Sequence, residues 1–297
     1  MGLFSGYEKV GPGISKNPDA KAPIFKFFEL YGSHFSKLIM LNFILIISLL
    51  PFLLVFFIEY LNLSDTAFNV VFYTAFVVFA SLIGPSLCGF MKILRNISSE
   101  RPVFLWHDYW KAFKANFKQG IIMGFIDAVF AVAVSFAFPM YFNMAEQNNM
   151  FYIPFIICLV CAVIFLMMHF YIYLLIVSTN LDLWKIIKNS FLLTAIDVKT
   201  SFTNLIVTVL IVLAIIVFWP YTSFLFIIVP SFLGLMYAFN CFPIIRKYVI
   251  QPYYDERGEE NPEFAYRDTE DEAVFVDTPE TEIPQEAPKS SKKKNIR

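Results

Sequence analysis

The sequence predicts an all-α protein: a polytopic membrane helix bundle of six transmembrane helices, with an amphipathic interfacial helix in each of two inner loops and a disordered acidic C-terminal tail. Three observations lead there. The 297 residues are 58% hydrophobic and 19% aromatic, with 36 Phe and a mean hydropathy of +0.63, more apolar surface than one water-facing core can bury. Six apolar runs are each long enough to cross about 30 Å of hydrocarbon at roughly 1.5 Å per residue. The basic residues all fall on one side of the topology that those runs define.

The runs lie at about 38–58, 68–91, 121–142, 151–177, 202–219 and 223–242. Joining the last two into one helix would give a rod of roughly 60 Å, twice what a bilayer needs. The turn Pro220-Tyr221-Thr222 is therefore expected to reverse the chain. With six spans, the outer segments 59–67, 143–150 and 220–222 hold Glu59, Asp65 and Glu146 and no Lys or Arg. All 23 basic residues lie inside: five before the first span, six from Lys92 to Lys118, three from Lys185 to Lys199, and nine after the last. That segregation follows the positive-inside rule and predicts both termini in the cytoplasm. The first run lacks a small-residue cleavage site and is expected to be a retained helix, not a signal peptide.

Three regions follow: a cytoplasmic N-terminal segment, 1–37, with a juxtamembrane amphipathic stretch; a six-helix membrane domain, 38–251; and a cytoplasmic tail, 252–297. Residues 1–251 carry 16 basic and 11 acidic side chains, a net of +5, whereas the tail carries 7 and 13, a net of −6. Rich in Asp, Glu and Pro, the tail has too little apolar surface to fold. Its basic tip, Lys292-Lys293-Lys294-Asn295-Ile296-Arg297, makes it a candidate tether for a soluble partner or anionic lipid.

The two inner loops contain a repeat. Residues 108–117 and 182–191 match at an offset of 74, at five positions in ten, as D-x-W-K-x-x-K-x-x-F. In the first copy Leu105/Trp106, Tyr109/Trp110, Phe113 and Phe117 recur every three to four positions, so they are expected on one helical face with Lys on the other. Asp108 and Asp182, at the helix starts, suit the N-terminal dipole and can cap free N–H groups. A Trp/Phe face opposed by Lys suits a helix lying in the headgroup plane. Asp108, Trp110, Lys111, Lys114 and Phe117, with Asp182, Trp184, Lys185, Lys188 and Phe191, are therefore candidate docking residues; the plainer alternative is that both helices seal the inner surface. The offset spans one helical hairpin, so the repeat is parallel, unlike the inverted repeats of many ion-coupled carriers.

The start Met1-Gly2-Leu3-Phe4, the break Ile83-Gly84-Pro85-Ser86, and the run from Trp110 to Gly120 leading into span three carry a resemblance. Over roughly residues 1–250 the chain resembles the YesL-like family of bacterial multi-pass membrane proteins of unknown function. The resemblance implies the bacterial cell membrane. Members are often encoded beside carbohydrate importers and glycoside hydrolases, which implies a role attached to sugar uptake, with the permease or ATPase subunits of a sugar ABC importer as partners. This is an association, not a mechanism. It supplies no catalytic residues, and the acidic tail is not part of the pattern.

Asp127 is the one acidic residue well inside a span, and an ionisable group there is a functional-site hypothesis. His169 lies at equal depth on the next, antiparallel span. An Asp127–His169 contact is expected, either as a bond that glues two helices or as a proton or substrate site. Gly84 and Pro85 are the candidate kink in span two, and Pro51, Pro139, Pro154 and Pro230 interrupt four other spans. Asn42, Asn204 and Asn240 are expected to bond between helices. Cys158 and Cys161 form a C-x-x-C inside an apolar run beside no βαβ pattern, so neither metal nor redox chemistry is expected of them.

No H-x-x-x-H pair, Gly-rich phosphate loop, G-x-S-x-G or paired intramembrane carboxylates occur, so neither catalysis nor a cofactor is expected. The basic loops have too little soluble structure around them for a nucleic-acid fold. Two function classes remain. One is a non-catalytic accessory or regulatory membrane subunit that docks through the repeated helices. The other is a small-molecule transporter or channel using Asp127 and His169, against which stands the scarcity of intramembrane polar groups.

Overall fold

The computed structural model describes residues 22–61, 64–259 and 261. The expectations for residues 1–21 and 262–297, including most of the acidic tail and its basic tip, lie outside the described residues. Every regular element among the described residues is helical. Six segments are long and apolar enough to cross a membrane: Phe35–Ile58, Asp65–Ser98, Phe117–Gln147, Asn149–Ser178, Val198–Val217 and Val229–Asp255.

Helix α1 (Pro23–Ser33) opens with proline, whose missing N–H costs nothing in a first turn, and leads through His34 into α2 (Phe35–Leu53). Beyond Pro51 the chain tightens into a 3-10 stretch, Leu54–Leu61. Span two is two helices, α3 (Asp65–Ser81) and α4 (Ile83–Ser98), which meet at Leu82. Pro85 offers no N–H to the Ser81 carbonyl and its ring crowds that group, so the break falls on the N-terminal side of the Gly84-Pro85 pair.

A short helix α5 (Leu105–Ala115) precedes α6 (Phe117–Gln147), which passes both ends of the expected 121–142. The loop expected at 143–150 shrinks to a bend at Asn148, whose side-chain carbonyl accepts the Met150 N–H at 3.0 Å. Helices α7 (Tyr152–Ser178), α8 (Leu183–Ile196), α9 (Val198–Val217) and α10 (Val229–Ile245) follow. The expected sixth run, 223–242, is displaced. Ser223–Ile227 is a 3-10 turn, and α10 starts at Val229, where Pro230 fits a first turn but would break a helix interior. A π-turn, Arg246–Ile250, extends it.

Described residues up to Ile250 form one compact unit, and those from Gln251 a second, which contains α11 (Gln251–Asp255). In the second unit Asn261 donates to Gln251 Oε1 at 3.1 Å, and the Arg257 guanidinium lies 4.2 Å over the Tyr253 ring.

Contacts define two ends of the first unit. At the basic end, Lys26 of α1 pairs with Glu100 after α4 at 2.6 Å, and Gln119 in α6 donates to the Leu181 carbonyl after α7 at 2.9 Å. Arg95 of α4 donates to the Val177 carbonyl at 3.4 Å and lies 4.7 Å over the Phe242 ring of α10. At the far end, the Tyr73 ring of α3 lies tilted against Phe136 of α6 at 4.9 Å, and Phe138 and Phe142 each lie 5.9 Å from Phe155 of α7.

Helix α4 is the hub of the basic half, packed by α2, α5, α6, α7 and α10 with Cys88, Ile93, Leu94 and Ile97 fully buried. A helix enclosed on every side belongs to an interior. In the far half, Val78, Phe136, Ile156, Val160, Leu213 and Ile216 face outward, as a hydrocarbon surround demands. Where α6 crosses the α3–α4 break, Gly120 and Gly124 bring the backbones together. A Cβ built on Gly84 would overlap the Gly120 carbonyl, and one on Gly124 would sit 2.7 Å from the Ser81 carbonyl. Small residues four apart permit such an approach.

Candidate functional site

Helix α5 buries Tyr109 and Ala112 against the bundle. The Tyr109 ring occupies the room left by Gly89 of α4, where a Cβ would come within 2.9 Å of it. Burial pushes the Tyr109 phenol above its ordinary value. The expected arrangement of an aromatic face opposed by Lys needs correction. Trp106, Trp110, Phe113 and Phe117 form a ladder with ring centroids 5.7, 5.1 and 5.6 Å apart. On the open side Trp106, His107, Trp110, Lys111 and Lys114 line one shallow recess. Rings and ammonium groups share a face because Tyr109 and Ala112 use the arc that meets α4.

Helix α8 repeats this register. Ile186, matching Ala112, is buried, while Trp184 (77% exposed), Lys185, Lys188 and Phe191 are open. The two aspartates differ. Asp108 lies in the first turn of α5 and accepts the Phe104 N–H at 3.0 Å. Asp182 precedes α8, makes no side-chain cap bond, and lies 3.9 Å from Lys185.

Asp127 on α6 and His169 on α7 meet. Asp127 Oδ1 lies 2.8 Å from His169 Nε2, and Tyr173 donates its hydroxyl to Asp127 Oδ2 at 2.7 Å. Tyr173 carries no signal of its own in the sequence, although its spacing of four from His169 puts both on one helical face. His169 Nδ1 lies 2.8 Å from the Phe165 carbonyl. A carbonyl only accepts, so the pairing assigns a hydrogen to Nδ1. Nε2 and Oδ1 then share one further hydrogen, as imidazolium with carboxylate or as imidazole with carboxylic acid. Either way the pair sums to zero charge, which makes it tolerable away from water.

Asp127 and Tyr173 line a cavity of about 220 Å³ with Phe52, Phe76, Leu87 and Ala131 among its walls. A second cavity of about 230 Å³ shares Phe76 and Ala131 and continues toward the far end past Phe72, Tyr73 and Ser135.

The expected scarcity of intramembrane polar groups also needs correction. Asn240 donates to Asn204 Oδ1 at 2.7 Å, Asn204 lies 3.2 Å from Cys241 Sγ, Tyr171 and Ser201 pair at 3.1 Å, and Thr208 and Tyr237 at 2.8 Å. Asn42 donates to the Ile227 carbonyl at 2.6 Å and to Ser231 at 2.7 Å, which satisfies groups at the irregular start of α10. These groups bond mainly to one another, as helix-joining groups do. Cys158 and Cys161 are free thiols, and no group of three or more metal-ligating side chains occurs among the described residues.

A family model described as a protein of unknown function, DUF624, matches residues 66–138. The match holds the first repeat copy, the α4–α6 glycine crossing and Asp127, and stops before His169 and Tyr173. No curated protein and no solved structure gives a match to the chain.

Proposed function

We propose that this chain is a non-catalytic accessory or regulatory subunit of the bacterial cell membrane, which docks a partner on the cytoplasmic side through α5 and α8. One observation carries the reading: the repeat buries the same position twice, at Ala112 and Ile186, and twice turns both of its Lys residues outward, while its Trp is half-buried in the first copy (Trp110, beside the 61% exposed Trp106) and 77% exposed in the second (Trp184). Sealing the bundle needs no exposed indole, whereas protein interfaces are enriched in Trp anchors. The positive-inside rule supports a cytoplasmic basic end and cytoplasmic termini. The YesL-like resemblance supports the permease or ATPase of a sugar ABC importer as the partner.

The test replaces Lys111, Lys114, Lys185 and Lys188 together with Gln and quantifies importer subunits that co-purify in mild detergent. Recovery should fall about tenfold while insertion is unchanged, since lost lipid attraction is only about 1 kcal/mol per Lys. Equal recovery of the importer subunits contradicts the docking face. Orientation is tested separately: a cysteine at Asn148 should react with an impermeant reagent from outside, and one at Ser99 should not. A second reading, a small-molecule transporter or channel, draws on the Asp127–His169–Tyr173 cluster beside its cavity. A proton-linked flux abolished by Asp127→Asn at normal expression would favour it.

A further inference from the structure

We infer that the paired cavities beside Asp127 bind a neutral single-chain lipid alcohol, drawn sideways from the membrane, with its hydroxyl on Asp127 and its chain running toward the far end. The inference is independent of the docking reading.

Charge is the first argument. With His169 Nδ1 committed to the Phe165 carbonyl, the Asp127–His169 pair has no net charge. An ammonium group would meet no net negative partner there. Donors are the second. Both ring nitrogens of His169 are taken, and the Tyr173 hydrogen goes to Asp127 Oδ2 at 2.7 Å, so a carboxylate or phosphate would find no free donor in the cluster. What the cluster still offers is acceptance: spare lone pairs on Asp127 and on the Tyr173 oxygen. A neutral group that donates a hydrogen, a hydroxyl, fits that remainder.

Shape gives the third argument. Away from Asp127 and Tyr173 the first cavity has apolar walls, and it shares Phe76 and Ala131 with the second, which continues between α3 and α6. A slot with acceptors at one end and aromatic walls along its length matches an amphipath with one small polar head. The far half, where apolar side chains face outward, gives a hydrocarbon ligand its approach.

The chain purified in nanodiscs is irradiated with a diazirine-bearing oleyl alcohol, and labelled residues are mapped by mass spectrometry. Oleyl alcohol, oleylamine and oleate, which share one hydrocarbon tail, then compete. Labels should fall on the cavity walls at Phe76 and Ala131. Oleyl alcohol should displace them at about tenfold lower concentration than either charged analogue, the discrimination expected of one matched hydrogen bond. Ala131→Phe, which fills the slot one helical turn from Asp127, should reduce labelling about tenfold. Equal competition by oleylamine or oleate overturns the inference, as do labels spread over the lipid-facing surface or unchanged labelling of a folded Ala131→Phe protein. Because the competition uses the unaltered chain, it decides the question even where the variant misfolds.

Discussion

The first half of α7 is uniformly apolar and α4 carries Lys92, Arg95 and Asn96, yet it is α4 that its neighbours enclose, while Ile153, Ile156, Ile157 and Val160 of α7 look outward. The difference lies in the neighbours. Near the basic end, where side chains meet headgroups and water, apolar surface is driven into contact, and α5 folds back over α4 to bury Tyr109. Toward the far end hydrocarbon solvates apolar side chains as well as another helix would, so nothing forces the helices together. One half therefore resembles the core of a soluble domain, with α5 packed on α4 and α8 on α7. The other leaves gaps between helices, and the Asp127 cluster lies at their inner limit.

The largest effect should come from the crossing that joins the halves. Gly84→Leu must displace the α6 backbone and should cost about 3 kcal/mol or prevent folding, whereas Gly32→Leu, with nothing within 4 Å of its Cβ, should leave the thermal midpoint in detergent unchanged. Next is the contrast itself: Leu94→Ala should lose about 3 kcal/mol by leaving a cavity, and Ile156→Ala under about 0.5 kcal/mol. Equal losses would erase the distinction between the halves.

Within the Asp127 cluster, Asp127→Asn keeps both bonds, its amide donating to neutral His169 and its carbonyl accepting from Tyr173, and should cost under about 1 kcal/mol. Asp127→Leu strands both partners and should cost about 1–3 kcal/mol by the same measurement. The smallest effect is alkaline. Burial raises the Tyr109 phenol above its ordinary 10.0, so folding favours the protonated form. Its contribution is whole below about pH 10 and is lost as pH rises through the raised value. Tyr109→Phe should flatten that alkaline decline in the thermal midpoint.

The six crossings are legible in the sequence because a bilayer sets a minimum length and apolar runs are read directly. Their boundaries are less so. Pro85 points to a break, but it acts on the carbonyl of Ser81, and so the helix parts on the near side of Gly84. Periodicity places Trp106, Trp110 and Phe113 on one side of α5 but does not say which arc turns inward; Gly89, on another helix, decides that by admitting Tyr109. Asp127 stands out as a lone charge in a span, whereas Tyr173 looks like any aromatic in an apolar run. The polar contacts among α7, α9 and α10 are hidden because their Ser, Thr, Tyr and Cys members are scattered singly through three helices.

The difference between the halves is tested most directly by pulsed electron double resonance in nanodiscs. With Cys158 and Cys161 replaced by Ala, spin labels are placed at Lys111 and Lys188 on the basic end, and in a second sample at Phe142 and Val217 on the far end. A narrow distance distribution for the first pair and a broad one for the second is the predicted result, since motion follows sparse packing. A far-end distribution as narrow as that of the basic end would contradict the account.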